Sequence, residues 1–481
     1  MNATITKDFG DWLSPMLVKE MRQGLRARVF VSAFLLMQCL MIFCVIMSLT
    51  AADDTFGNAS SGFFWMMIGL PLLLVMPARG FGVLGSEIKG NTLELIFLTR
   101  LSSWRIVAGK WTAIIAQTLL LACSVLPYTV LRYFLGGINL LDDLQVLFVM
   151  IVVSAILTAV AVALSPFYRS WLAKIILSFG PFLLIWLGVV FFESQRFFHG
   201  MGTSPSASDY YIIVAVLGPL FLLLMFEIAV ARIAPPAENH SFRKRLLGLL
   251  LLAAISILKF FRFDPYFLQT IGIVLLLPIC VTSLCEELKL IPSIYLPFVK
   301  RGFFGRLAGV IFYPGWPGGL LYSLLTLAVF LFIFFNGRKS GTPDSNMLQI
   351  AFLGGLLLPL AIEKICFARF RKTFAIYMGL QVFMFVIMLL ASGLKDSPYV
   401  KWMKLASPLP TSVFFLKLFD RIDDVHDSFF LATVTIVTWM SLLLLFFKLM
   451  GEWKKIRAME NEATGELMNP GKPLIANADA A

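Results

Sequence analysis

The chain has 481 residues, of which 59% are hydrophobic and 14% are charged, and its mean hydropathy is +0.86. A soluble domain with so few charges could not keep its surface hydrated, so this composition excludes an ordinary soluble protein. The formal net charge is +12. Most basic residues lie between apolar segments, as is typical of loops beside anionic lipid, and we expect no nucleic-acid partner.

Apolar segments long enough to cross a bilayer core as helices recur along the whole chain. We predict spans at 29–49, 62–78, 111–131, 144–165, 172–192, 211–231, 246–262, 266–284, 318–336, 347–363, 373–393 and 428–447. The predicted fold class is therefore an all-α polytopic membrane protein with about 12 transmembrane helices. Membrane lipids are its first expected partner.

Charge distribution predicts the orientation of the chain in the membrane. Placing the N-terminus inside puts most of the 40 lysines and arginines on the inner side. We therefore expect a multi-pass protein of the cell inner (plasma) membrane with both termini in the cytoplasm. Residues 1–28 carry a basic amphipathic segment and are predicted as a cytoplasmic interfacial helix. Residues 450–481 are polar and small, and they are predicted as a disordered cytoplasmic tail.

Loop lengths repeat along the chain. In each half, the inner connection after the second span is long, at 79–110 and at 285–317. This repetition predicts two six-helix units, 29–231 and 246–449, joined by a cytoplasmic linker at 232–245. In the second long connection, Pro292, Pro297 and Pro314 interrupt any single helix.

The first of these connections has the pattern of a short surface helix near 87–104. Asn91 and Glu94 have capping-box spacing, in which a side chain at the helix start and a glutamate three residues later bond to each other's backbone. Apolar residues then follow at helical spacing: Leu93, Ile96, Phe97, Leu101 and Trp104. Arg100 and Arg105 lie off that face. We expect an amphipathic helix at the membrane surface.

The order of residues around this connection resembles the ABC-2 type permeases, the membrane subunits of one class of ABC transporter. The matching residues are Ser14-Pro15-Met16-Leu17, Lys19-Glu20-Met21-Arg22, Glu87, Thr92-Leu93-Glu94-Leu95, Thr99-Arg100-Leu101-Ser102, Gly109-Lys110, Leu126-Pro127 and Gly136-Gly137. The resemblance covers about residues 10–140 and is thin afterwards. Ser14 stands where the family usually has asparagine.

The resemblance implies a coupling helix that docks in a groove of a cytoplasmic ATP-binding subunit. The implied contact residues are Glu87, Thr92, Leu93, Glu94, Ile96, Phe97, Arg100 and Arg105. The implied entry helix contains Pro15, Lys19, Glu20 and Arg22. The expected function is that of a permease subunit of an ABC exporter that moves an unknown substrate. A second permease copy or a paralogue is a further expected partner.

The sequence contains no Gly-x-x-x-x-Gly-Lys-Ser/Thr phosphate-binding loop, so ATP and magnesium would bind a partner chain, and this chain is not expected to be an enzyme. His199, His240 and His426 are too scattered to form a metal site, and we expect no cofactor or metal on this chain.

Two alternatives remain open: an ion-coupled secondary transporter and a non-transporting membrane assembly or scaffold protein. Charges inside apolar segments are the default functional candidates in a membrane. Here Glu227, Glu363 and Lys364 lie near span ends, where a local ion pair or snorkelling accounts for them, and Arg132 is expected to snorkel to water.

Overall fold

The computed structural model describes residues 15–50, 64–90, 102–135, 139–166, 207–235, 238–261, 265–335, 343–367, 373–393 and 427–468. Within these ranges the chain is helical with short turns, and it contains no strand. Contacts divide the chain into two compact units, Met1–Ile233 and Ala234–Ala481. The predicted span at 172–192 and residues 91–101 of the predicted coupling helix lie outside the described residues.

The helices of the first unit are α1 (Pro15–Leu25), α2 (Arg28–Thr50), α3 (Met76–Lys89), α4 (Ser103–Leu135), α5 (Leu140–Leu164) and α6 (Ala207–Ile233). A π-helical turn at Leu70–Val75 precedes α3. Within that turn the Met76 N–H bonds to the carbonyl of Pro71, five residues back. The next bond of this pattern would need the N–H of Pro77, which has none. The Ser154 hydroxyl on α5 donates to the Leu72 carbonyl instead, at 2.6 Å.

Small residues let α3 and α5 approach each other closely. A Cβ atom at Gly80 would lie 2.9 Å from the Ala161 Cβ and 3.2 Å from the Val162 backbone nitrogen. Ala161 and Phe81 are buried in the same apolar cluster. Close packing of this kind through glycine and alanine is the usual way in which helices associate where lipid surrounds them.

Gly80→Ala is expected to destabilise the protein by about 1–3 kcal/mol, because the added methyl group meets the backbone of α5. Gly82→Ala is the matched control, since a Cβ there meets nothing within 4 Å. That change should be neutral or stabilising by up to about 1 kcal/mol, because alanine favours the helix. Thermal unfolding of both variants in one detergent measures the difference; equal melting temperatures would contradict the packing described here.

The helices of the second unit are α7 (His240–Phe260), α8 (Pro265–Leu284), α9 (Pro292–Val299), α10 (Gly302–Phe312), α11 (Trp316–Phe335), α12 (Pro343–Cys366), α13 (Thr373–Gly393) and α14 (Asp427–Met468). The predicted linker 232–245 is partly helical. Helix α7 begins at His240, where the Asn239 side chain accepts a hydrogen bond from the Phe242 N–H at 3.2 Å. The second long connection contains two short helices, α9 and α10, and Gly302, the first residue of α10, has φ +68°.

The prediction of a disordered tail from residue 450 is wrong for the described residues, because α14 continues to Met468. Ile456 and Ala463 are buried on one face of this extension. They pack against Tyr295 and Tyr313, and the Tyr313 hydroxyl donates to the Glu460 carboxylate at 2.8 Å. An apolar stripe with so few members is hard to recognise in a polar sequence, but its partner surface makes the helix stable.

Ala463→Arg is expected to loosen this extension of α14, because the arginine would bury a charge among apolar side chains at a cost on the order of 3 kcal/mol. Hydrogen exchange in 292–312 and in 450–468 should rise together. Ala458→Arg is the matched control, since Ala458 is exposed on the same helix. Unchanged exchange in Ala463→Arg would show that the two segments are not stabilised by each other.

Seven helices in the described part of the chain are long and apolar enough to cross a membrane: Arg28–Ile46, Phe64–Gly85, Ser103–Phe134, Leu140–Leu164, Ile212–Ile233, Trp316–Phe334 and Val434–Gly465. The chain is thus a multi-pass membrane protein, and the part of it that the structure describes is all-helical. The count of about 12 spans stays a prediction.

Candidate functional site

A buried cluster of three charged side chains joins α1, α3 and α4 in the first unit. The Lys110 ammonium lies 3.1 Å from Glu20 Oε1 and 2.7 Å from Glu87 Oε1. The Lys110 side chain is only 4% exposed. A lysine buried to this degree needs anionic partners, because desolvation of an unpaired ammonium costs several kcal/mol. The cluster therefore links the end of α3 and the start of α4 to the entry helix.

Local sequence explains how these helices are placed. Pro15 begins α1, a position where its missing N–H costs nothing. Ser102 precedes α4, and its hydroxyl accepts a hydrogen bond from the Arg105 N–H at 3.4 Å. Ile106 and Val107 in the first turn are fully buried, so the helix that carries Lys110 is anchored from its start.

A second polar contact connects the same three helices. The Arg79 guanidinium on α3 donates to the side-chain oxygen of Gln117 on α4 and, at 3.3 Å, to the carbonyl of Gly24 on α1. Gly24 allows this approach, since a Cβ atom there would collide with the Gln117 amide. Arg79 also lies over the Phe30 ring, 5.9 Å from its centroid. With two such contacts, α1, α3 and α4 are held as one body.

The structure brings together only some of the predicted site residues. Glu20 and Glu87 share Lys110, whereas Lys19, Arg22 and Arg105 are exposed on their helices. Pro15 opens α1. The predicted contact residues outside the described ranges are Thr92, Leu93, Glu94, Ile96, Phe97 and Arg100.

The bounds expected for the coupling helix, near 87–104, need correction at both ends. Glu87 belongs to the last turn of α3, and Trp104 belongs to the first turn of α4. Helix α4 begins at Ser103, before the predicted span start at 111, and Lys110 lies within it, paired with two carboxylates. Lys110 belongs to the Gly109-Lys110 pair of the resemblance, but it is not among the predicted site residues. Its position inside an otherwise apolar helix was the available signal.

The second unit contains a cluster of similar design around Glu286, just after α8. Lys244 Nζ lies 3.2 Å from Glu286 Oε1, and Arg245 Nη2 lies 2.6 Å from Glu286 Oε2. The Ser241 hydroxyl donates to the same carboxylate. The Gly315 N–H donates to Glu286 Oε2 at 3.3 Å from a turn with φ +124°. A turn of that φ favours glycine.

Arg245 is the most constrained side chain of this cluster, with 0% exposure. Its guanidinium donates to the carbonyls of Ile311, Tyr313 and Gly315, the latter two at 2.8 and 3.1 Å. Burial raises the pKa of the Glu286 carboxyl, but the charges of Lys244 and Arg245 and the Ser241 hydrogen bond outweigh it and lower the pKa to about 2. Glu286 is therefore ionised at neutral pH.

Each unit thus has a buried ion cluster with a carboxylate that follows its second predicted span, but the numbers of anions and cations in the two clusters are reversed. In the first unit, two carboxylates share Lys110; in the second, two cations share Glu286. Similar placement with different partners favours duplication of an ancestral six-helix unit, which stays a prediction.

The remaining buried charges form local pairs. Arg132 does not snorkel to water as expected: it is buried, lies 3.5 Å from Asp143 Oδ2, and packs over the Phe64 ring. The Lys364 ammonium lies 3.0 Å from Glu363 Oε1, which matches the expected local ion pair. Among the described residues no group of three histidines, cysteines or carboxylates is placed to hold a metal ion.

Comparison with known proteins does not assign the chain to a family. The chain matches no protein-family model, no curated protein and no solved structure.

Proposed function

We propose that the chain is the permease subunit of an ABC transporter of the ABC-2 type. It would be an exporter with about 12 spans in two six-helix halves, and it would lie in the cell inner membrane with both termini in the cytoplasm. A separate ATP-binding subunit would bind ATP and magnesium. The direction of transport rests on the resemblance alone, and the substrate stays open. A second copy or a paralogue would complete a permease that needs two such chains.

The cluster of Glu20, Lys110 and Glu87 is the observation that supports this proposal most. It joins the three elements that the resemblance singles out: the entry helix, the end of the second span and the start of the third. These elements flank residues 91–101. Because a buried, ion-paired joint resists separation, a force applied at 91–101 would move α1, α3 and α4 together.

The proposal assigns different roles to the predicted residues. Leu93, Ile96 and Phe97 would insert into a groove of the ATP-binding subunit, and Thr92, Glu94, Arg100 and Arg105 would make polar contacts with it. Glu20 and Glu87 would act through Lys110 as positioning residues, since their carboxylates bind it inside the unit.

A photo-crosslinking amino acid at Phe97 tests the proposed contact in native membranes. We expect adducts to an ATP-binding subunit from Phe97 and not from Ala458, an exposed residue of α14. We also expect Lys110→Met to lower ATPase activity of the complex while the Phe97 adduct persists. Absence of any ATP-binding subunit among adducts from Phe97, Ile96 and Leu93 would contradict the proposal.

An ion-coupled secondary transporter is the second candidate, and Glu363 is the observation that favours it. Its side chain is buried in α12, and Oε2 has no hydrogen-bond partner among the described residues. A carboxylate placed this way in a membrane helix is a candidate proton or cation site. Under this alternative, proteoliposomes would transport without ATP when given an ion gradient, and Glu363→Gln would abolish that transport. Transport that requires ATP would exclude it.

A further inference from the structure

Helix α10 is apolar on its outer side and glycine-rich on its inner side. Phe303, Phe304 and Leu307 are 75%, 80% and 58% exposed. Gly305 and Gly309 on the opposite side are buried. A water-facing helix has the reverse arrangement, with its large apolar side chains turned inward.

The inner glycines have a clear structural use. A Cβ atom at Gly305 would collide with the Phe298 carbonyl, and one at Gly309 would collide with the Tyr313 ring. Helix α10 therefore packs directly against α9 and against Tyr313, the residue that follows α10. The extension of α14 also contacts α10, since Arg306 Nη2 donates to the Thr464 hydroxyl at 3.2 Å. These contacts fix the orientation of α10, so that its phenylalanines face outward.

The length of α10 excludes a span. Its 11 residues extend about 16 Å, roughly half of the hydrocarbon core. Only residues 313–315 separate it from α11, which is long and apolar enough to cross the membrane. The end of α10 must then lie near the membrane boundary, where short amphipathic helices lie parallel to the surface.

Charge indicates what the apolar face contacts. Residues 288–316 contain Lys289, Lys300, Arg301 and Arg306 and no acidic residue. Arg306 follows the face formed by Phe303, Phe304 and Leu307 along one edge, and Arg301 is exposed just before α10 begins. An apolar face with basic edges complements a leaflet of anionic lipids, since acyl chains accept the rings and phosphates accept the guanidinium groups.

We propose that α10 is an anchor for anionic lipid, with Phe303, Phe304 and Leu307 among the acyl chains and Lys300, Arg301 and Arg306 at the phosphates. The proposal depends only on the chain's being a multi-pass membrane protein. The second long connection would then bind the bilayer, whereas the first would bind a protein partner. Lipid contact of α10 would also fix the depth of the Glu286 cluster relative to the membrane, because Arg245 binds the carbonyls at the end of α10.

Lipid contact can be measured with a fluorescent amino acid incorporated at Phe304 in the full chain. The protein is placed in nanodiscs of phosphatidylcholine brominated in the upper acyl chain, mixed with phosphatidylglycerol. We expect quenching at Phe304 similar to that at Trp439, an exposed residue near the start of the last candidate span, Val434–Gly465. Ala458, which follows Arg457 and is exposed on α14, serves as the water-facing control. Quenching at Phe304 no greater than at Ala458 would overturn the proposal.

The headgroup part of the proposal has its own test. The double variant Lys300→Gln/Arg301→Gln should retain phosphatidylglycerol less tightly in native mass spectrometry, by about five-fold for each charge removed. Lys454→Gln/Arg457→Gln removes the same charge from exposed positions of α14 and should change retention little. Equal loss in both variants would overturn a specific headgroup contact. A photo-crosslink from Phe304 to a protein subunit in native membranes would assign this face to a protein partner and overturn the lipid anchor.

Discussion

Lys110→Met is expected to destabilise the first unit by about 3–5 kcal/mol, the usual cost of removing one partner from a buried ion pair. Methionine matches lysine in length but carries no charge, so Glu20 and Glu87 would be left close together around an apolar side chain. Each carboxylate would then have to be hydrated or protonated, and either change weakens the attachment of α1 to α3 and α4.

Lys455→Met is the matched control for this experiment. Lys455 also pairs with a glutamate, Glu452, at 3.0 Å, but its side chain is 58% exposed. Pairs of this kind contribute at most about 1 kcal/mol. Thermal unfolding of the full chain in one detergent at pH 7 compares the two variants, and hydrogen exchange should rise in α1 for Lys110→Met only. Similar melting temperatures for both would show that the buried cluster contributes no more than a surface pair.

A triple variant separates the loss of the lysine from the burial of unpaired carboxylates. Glu20→Gln/Glu87→Gln/Lys110→Met removes all three charges, so no ion is left buried without a partner. Part of the stability lost in Lys110→Met should return, because replacing a whole buried ion cluster is often nearly neutral. A triple variant less stable than Lys110→Met would contradict this prediction and would show that unpaired buried carboxylates are not the main cause of the loss.

Hydrophobic length alone predicted much of the helical architecture, because a membrane requires about 20 apolar residues for each crossing. The predicted spans 111–131 and 144–165, for example, correspond to the helices Ser103–Phe134 and Leu140–Leu164, which qualify by length and composition. Helix ends were predicted less well. Lys110 and Arg245 look like surface residues in sequence, yet both are buried by carboxylates that lie 90 and 41 residues away. No local pattern contains that information.

The candidate site shows the same limit. The resemblance pointed separately to Glu20, Glu87 and Lys110, but only the fold shows that the three side chains meet. The extension of α14 was missed for a related reason. Its buried face depends on Ile456 and Ala463, and their importance comes from Tyr295 and Tyr313 in another segment. Burial by a distant partner, rather than local composition, decides both cases.

Glu286→Gln is expected to destabilise the second unit by about 3–5 kcal/mol at pH 7, because Lys244 and Arg245 would lose their shared anion. The effect should depend on pH. Since the pKa of Glu286 falls from 4.5 to about 2 on folding, the folded state binds this proton less readily than the unfolded state. The stabilisation is complete above pH 4.5, and it is lost as the pH falls towards 2.

The difference in melting temperature between wild type and Glu286→Gln should therefore be constant above about pH 5 and should shrink between pH 4.5 and 2. Glu287→Gln is the control, because Glu287 is the next residue and is exposed. It removes the same charge and reports the general effect of acid on the other carboxylates. A difference for Glu286→Gln that stays constant down to pH 2 would mean that the side chain stabilises the unit by packing and hydrogen bonds rather than by its charge. The Glu286 cluster would then no longer resemble the ion-paired joint around Lys110.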